Sequence, residues 1–181
     1  MSVHTTAVVG AGTMGNGIAH VFALHGYDAT LIDLDESLLD DARSTIEGNL
    51  SRQVDNDVIT PADKAAALDR LAFTSNTPEA VASADLVVEA VPEAQEVKSE
   101  VFGTLDAHAP ADAILASNTS SISITWIADQ TDRPDQVIGM HFFNPVPVMT
   151  LVEVVRGQRT SDDAFETVAG VADDLEKNPV E

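Results

Sequence analysis

Short runs of β-branched and apolar residues alternate with helical patterns along the whole chain of 181 residues. That alternation restricts the fold more than any other feature. Parallel neighbours in a sheet need a crossover between them, and a helix is the usual one, so strand–helix–strand repetition predicts βα units on a parallel sheet. The spacing predicts strands at Thr5–Val9, Ala29–Ile32, "LAFTS", Asp85–Val91 and Ala113–Ser117, with "QVIGMHF" and "MTLVEVV" completing the sheet. Helices are expected over Met14–Leu24, Glu36–Leu50, Pro61–Arg70 and Gln95–His108, and from near Ser161, where Asp162 and Asp163 complement the helix dipole. One α/β domain over residues 1–181 follows, doubly wound and mostly parallel, with helices on both faces.

Between the first strand and the first helix lies Gly10-Ala11-Gly12-Thr13-Met14-Gly15, a G-x-G-x-x-G. Such spacing occurs by chance, but here it leaves a strand and opens an amphipathic helix, so free N–H groups and the positive dipole end can face a pyrophosphate. Gly10 allows the tight turn, Gly12 lets the backbone approach phosphates, and Gly15 lets helix and sheet pack closely. Asp33 ends the second strand, where an acid is expected to take the ribose hydroxyls. A carboxylate there repels a 2′-phosphate, and neither Leu34 nor Asp35 offers a cation. The expected fold is therefore of the Rossmann type and the expected cofactor is NAD rather than NADP.

Charge narrows the partners. Thirty acidic residues face nine basic ones, for a net charge of −21, and the only lysines are Lys64, Lys98 and Lys177. Nothing here could neutralise a row of phosphates, so nucleic acid is excluded as a partner. The acids are spread through periodic, apolar-containing segments, which predicts a folded domain with an acidic skin rather than a disordered tail. Such a skin suits multi-molar salt, where self-repulsion is screened, so a halophilic cytoplasm is expected and dilute buffer should weaken the fold. No stretch approaches the roughly 20 apolar residues of a membrane span, and no export signal opens the chain. Without cysteine there is no disulfide or thiolate chemistry. The histidines His4, His20, His25 and His108 show no metal-ligand spacing, so no metal is expected.

Three later stretches are chemically loaded. "HFFNPVPVMTLVEV" places His141 in an apolar run, breaks it with Pro145 and Pro147, and sets Glu153 alone among valines and leucine. Read alone, these fit either a satisfied core histidine and a strand-end carboxylate or a base with its partner. "SNTSS" puts Ser117 to Ser121 at the C-terminal edge of a buried strand, where open α/β sheets bind ligands, although turn-forming side chains give the same pattern. Glu93 and Lys98 flank the start of a helix and read either as a solvated ion pair or as binding groups.

Taken in order, "GAGTMGNGIAHVFALHGYDATLID", "DLVVEAVPEAQEVKSEVF", "SNTSSISIT" and "GMHFFNPVPVMTLVEVV" resemble the NAD-binding domain of L-3-hydroxyacyl-CoA dehydrogenases, the 3-hydroxybutyryl-CoA group included. The resemblance covers essentially the whole chain. It implies reversible oxidation of an L-3-hydroxyacyl-CoA, with His141 as general base on the 3-hydroxyl and Glu153 holding the other imidazole nitrogen. It also implies that Ser120 hydrogen-bonds the substrate oxygen, that Asn144 holds the nicotinamide side, and that Glu93 and Lys98 contact NAD. Thr13 and Met14 fall in its dinucleotide loop.

Two family features depart. The helical positions that serve coenzyme A are asparagines here, Asn49 and Asn56, with Arg52 as the cation left nearby. The final "LEKNPVE" reads as a helix end, a proline and the opening of another strand. This predicts a chain stopping short of the helical domain that in the family shapes the acyl pocket and forms a homodimer. Alone, the chain is expected to bind NAD with little turnover. A non-catalytic NAD-binding module and a hydroxy-acid dehydrogenase that does not use coenzyme A are the alternatives.

Overall fold

The computed structural model describes residues 2–181. Strands β1 (Thr5–Val9), β2 (Asp28–Ile32), β3 (Leu71–Thr74), β4 (Leu86–Glu89), β5 (Ile114–Ser117), β6 (Val137–Phe142), β7 (Leu151–Arg156) and β8 (Asn178–Val180) form one sheet. Its order is β3-β2-β1-β4-β5-β6-β7-β8. Every neighbouring pair is parallel except β6 and β7. The helices are α1 (Thr13–Leu24), α2 (Glu36–Asp55), α3 (Pro61–Asp69), α4 (Thr77–Val81), α5 (Gln95–His108), α6 (Ile124–Ala128) and α7 (Asp162–Asp174). The doubly wound α/β expectation holds. Among the described residues no helix is long and apolar enough to cross a membrane.

The sheet is covered on both faces. One core gathers Ile18 and Phe22 of α1, Leu39, Ile46 and Leu50 of α2, and Val168 and Val171 of α7 against Val8, Leu31 and Val88. The other gathers Phe102 and Leu105 of α5 and Ile127 of α6 against Ala7, Val87 and Leu115. Because β4 and β5 are buried on both faces, they read as unbroken apolar runs rather than alternating ones. Fully burying one side chain such as Phe22 contributes roughly 1.5–3 kcal/mol.

Caps explain most helix starts. Asp35 accepts the Ser37 N–H at α2, Thr60 and Asp63 form a capping box at α3, and Ser161 accepts the Ala164 N–H at α7. Helix α2 runs past the expected end at Leu50, since no glycine or proline lies between Leu50 and Asn56. Strand β4 ends two residues early, because the Glu89 carboxylate captures the Val91 N–H and turns the chain. The closing "NPV" is a strand, paired in parallel with β7.

The order reverses between β1 and β4: β2 and β3 continue to one side of β1, and β5 to β8 continue beyond β4. That reversal opens a crevice at the C-terminal strand ends between the loops after β1 and β4, the usual ligand position of an open α/β sheet.

His20 of α1 is wholly buried, its Nε2 donating to Gln53 Oε1 at 3.1 Å while Nδ1 has no partner. Burial pushes its pKa down to about 4, with the Gln53 bond opposing the shift. The native imidazole therefore stays neutral, whereas the unfolded chain protonates it below about 6.5. A depressed pKa of this kind contributes stability that is complete above pH 6.5 and lost as pH falls towards 4. At 1.36 kcal/mol per unit, the loss is about 3 kcal/mol. Urea unfolding of the wild type and of His20→Gln across that window should show the wild type alone with this component. Parallel curves would contradict it.

Candidate active site

The crevice is a cleft of about 1000 Å³ lined by the β1 loop, the end of β2, the β4–α5 loop, and residues after β5 and β6. At one end lies the glycine turn. Gly10 has φ +104°, and a Cβ there would sit 2.7 Å from the Ala90 carbonyl oxygen. A Cβ on Gly15 would lie 1.7 Å from Gly10 O, so only glycine lets α1 start this close to its own turn. Gly12 has nothing within 4 Å of the equivalent position and faces the open cleft, where Thr13 and Met14 also lie. Helix α1 has no side-chain cap and no acid in its first turn, unlike α2, α3 and α7. Its N–H groups are left for an anion.

Asp33 is fixed beside the turn. Its Oδ2 accepts the Ala11 N–H at 2.8 Å and its Oδ1 accepts the Asp35 N–H at 3.0 Å. Each oxygen keeps a lone pair for a ribose hydroxyl, and among the described residues lining the cleft the one cation is Lys98, which is bound to Glu89. Open space over Gly12, an uncapped helix end and a fixed carboxylate together fit a dinucleotide such as NAD.

At the other end lies His141, paired with Glu153 of the next strand. They are directly opposed on antiparallel β6 and β7, and His141 Nδ1 donates to Glu153 Oε2 at 2.7 Å. Their side chains are 16% and 47% exposed. Glu153 alternates with buried Val152 and Val154, so it occupies the open face of β7 rather than a hole in the core. With Nδ1 carrying the proton, Nε2 is left as an acceptor. The His141 ring also packs on Phe143, with centroids 4.6 Å apart. Asn118 Oδ1 accepts the Phe142 N–H at 2.8 Å, tying "SNTSS" to the strand that carries the histidine.

Ser120 and Asn144 line the same end of the cleft. Glu93 accepts the Thr119 hydroxyl at 2.8 Å and the Ser120 N–H at 3.1 Å. Partial burial works against its charge, but these bonds and nearby Lys98 prevail and hold the carboxyl below its ordinary range. One reading of Glu93 and Lys98 needs correction: they are not a solvated ion pair. Lys98 is 1% exposed and donates to both oxygens of wholly buried Glu89, at 2.7 and 2.8 Å, with Glu93 3.3 Å away. It forms part of the cleft wall with its ammonium already committed.

Two features escaped the sequence reading. Glu89 is one carboxylate inside the apolar run "DLVVEAV", with nothing local to mark its partners. Lys177, 8% exposed, donates to the Val146 and Met149 carbonyls at 2.8 Å and so staples the loop between His141 and Glu153 to the end of α7. Burial lowers its pKa. Arg52 hydrogen-bonds the Asn49 side chain, and it has a second cation in its neighbourhood. Lys64 of α3 donates to Ser51 Oγ at 2.8 Å.

The family profile described as "3-hydroxyacyl-CoA dehydrogenase, NAD binding domain" matches residues 5–181. The chain belongs to that family. It is 48% identical over 164 residues to the 3-hydroxybutyryl-CoA dehydrogenase of Bradyrhizobium diazoefficiens, covering 91% of this chain and 56% of the relative. With the enzyme of the same name from Clostridioides difficile it shares 45% over 175 residues, 97% of this chain and 62% of the relative. The crystal structure of (S)-3-hydroxybutyryl-CoA dehydrogenase from Ralstonia eutropha superposes with a TM-score of 0.96 at 41% identity, covering 99% of this chain and 63% of that one. This 3-hydroxyacyl-CoA dehydrogenase NAD-binding domain thus spans about three-fifths of the length of the curated relatives it matches.

Proposed function

We propose that the domain serves an NAD-dependent dehydrogenase that interconverts an L-3-hydroxyacyl-CoA and the 3-oxoacyl-CoA, with His141 as the general base. The observation that carries this reading is the 2.7 Å bond from His141 Nδ1 to Glu153 at the opposite end of one cleft from the glycine turn. NAD supplies, when bound, a hydride acceptor. Gly10, Gly12, Thr13 and Met14 hold its pyrophosphate half, Gly15 permits that turn, and Asp33 takes a ribose. Glu93, with Lys98 behind it, and Asn144 shape the nicotinamide side.

His141 Nε2 takes the proton of the 3-hydroxyl as the C–H bond opposite it gives up its hydride. In the reverse direction it returns that proton to the forming alkoxide. Glu153 fixes the tautomer and stabilises the imidazolium, as a carboxylate does for a histidine base in hydrolases. Ser120 hydrogen-bonds the substrate oxygen and keeps it within reach. The resemblance implies that the acyl pocket and the homodimer need the length of the relatives that this chain does not cover, so this domain alone is expected to bind NAD with little turnover.

Titration with NADH and, separately, NADPH tests the reading without requiring turnover. Multi-molar potassium chloride is the proposed medium, since the net charge of −21 suits a halophilic cytoplasm. Saturable NADH binding at least about tenfold tighter than NADPH binding is expected, because a 2′-phosphate removes the ribose hydroxyl that Asp33 would accept, a hydrogen bond to a charged group worth about 1.5–3 kcal/mol that salt does not screen away. Equal affinities would remove Asp33 from its role. No binding by a folded chain would remove the cofactor reading.

A further inference from the structure

Glu89 lies behind Ala90 and Lys98 of the cleft wall, its carboxylate accepts four hydrogen bonds, and the reaction outlined above gives it no task. It ends β4 with no exposed surface. Its Oε1 accepts the Val91 N–H at 2.8 Å and Lys98 Nζ at 2.7 Å. Its Oε2 accepts Lys98 Nζ at 2.8 Å and the Ser117 hydroxyl at 2.6 Å. Its backbone carbonyl accepts the Asn118 N–H at 2.8 Å. One residue therefore fastens the β4–α5 loop, helix α5 and the start of "SNTSS" together. A core of this sheet does not need a carboxylate at that point, and a buried ion pair is weak evidence for stability, since apolar replacements are often neutral or better.

We propose that Glu89 is a positioning residue for the nicotinamide half of the cofactor, holding the two loops around it and balancing the Lys98 charge. The inference rests on the dehydrogenase reading. Hydride must leave the carbon whose hydroxyl His141 deprotonates, so the nicotinamide belongs at the His141 end, beside Glu93 and Lys98. Its ring is cationic in NAD+ and neutral in NADH, whereas the phosphates are common to both. Charge at this end therefore changes the ratio of the two affinities. Glu89 and Lys98 cancel, leaving the single negative charge of Glu93 to face the ring. Without Glu89, Lys98 cancels Glu93 instead and the site becomes neutral.

Calorimetric titration of the whole chain with NAD+ and with NADH reads this directly. Glu89→Gln is expected to raise Kd(NAD+)/Kd(NADH) by about fivefold, the effect of one unit charge across a partly solvated cleft. The double variant Glu89→Gln/Lys98→Met leaves Glu93 alone again and should return the ratio to the wild-type value. Both of its affinities should nevertheless be about tenfold weaker, because the loops have lost charge-assisted anchors. An unchanged ratio in Glu89→Gln, or a double variant whose ratio stays shifted, overturns the charge balance. Wild-type affinities in the double variant overturn the positioning. If Glu89→Gln does not fold, the double variant, which buries no unpaired charge, decides alone by the same two criteria. Wild-type chain that binds neither nucleotide would instead sink the dehydrogenase reading on which this rests.

Discussion

Replacing His141 with alanine in a protein that carries this domain at the full length of its relatives should lower turnover by about 10²–10⁴-fold, the usual contribution of a positioned general base. NADH affinity should stay near the wild-type value, since the glycine turn and Asp33 lie at the other end of the cleft. That division separates a dehydrogenase from a module that only binds cofactor: in the latter no turnover exists to be lost. Steady-state rates with a 3-oxoacyl-CoA and NADH, paired with an NADH titration of the same preparation, make the measurement. Loss of both in a folded protein would mean that His141 is structural.

Glu153→Gln is the informative control in that experiment. The Glu153 carboxylate accepts from His141 Nδ1, so the proton sits on Nδ1 and leaves Nε2 basic. An amide can instead donate to Nδ1, which moves the proton to Nε2 and blocks the base. The variant should therefore resemble His141→Ala in rate while keeping the fold, because Glu153 is half exposed and makes no core contact that the amide could not.

The parts of this molecule that were legible in its sequence are those whose cause is local. The cradle after β1 could be read because each glycine answers to the backbone beside it, β4 and β5 because burial on both faces leaves a short unbroken apolar run, and α5 because burial of one stripe imposes a period. Helices α4 and α6, five residues each, are too short to show a period. The Glu89 cluster was hidden for another reason. Its partners lie 9 and 28 residues away, and only the parallel register of β4 with β5 brings Ser117 beside it. Lys177 reaches back 28 and 31 residues to the loop it staples. His141 and Glu153 were paired through family resemblance. The reason they meet is the hairpin register of β6 and β7, the one antiparallel pair in the sheet.

Two glycines of the same motif should fail differently. In Gly15→Ala the new methyl would lie 1.7 Å from the Gly10 carbonyl oxygen, a backbone atom in a turn already held at φ +104°. No side chain can move aside to make room, so α1 must shift from β1 or the turn must open. Overpacking of this kind costs typically about 1–3 kcal/mol, and an opened turn no longer presents its N–H groups to a pyrophosphate. Losing two hydrogen bonds to a charged partner, at about 1.5–3 kcal/mol each, lowers NADH affinity by about 100-fold or more. Gly12→Ala meets nothing within 4 Å. Its methyl projects into the cleft instead, so thermal stability should be unchanged while NADH binding is lost by direct obstruction. Melting temperature and NADH titration on the two variants separate the effects: Gly15→Ala should lose both, Gly12→Ala only binding. If Gly12→Ala binds NADH as the wild type does, the open side of the turn is not where the phosphates lie.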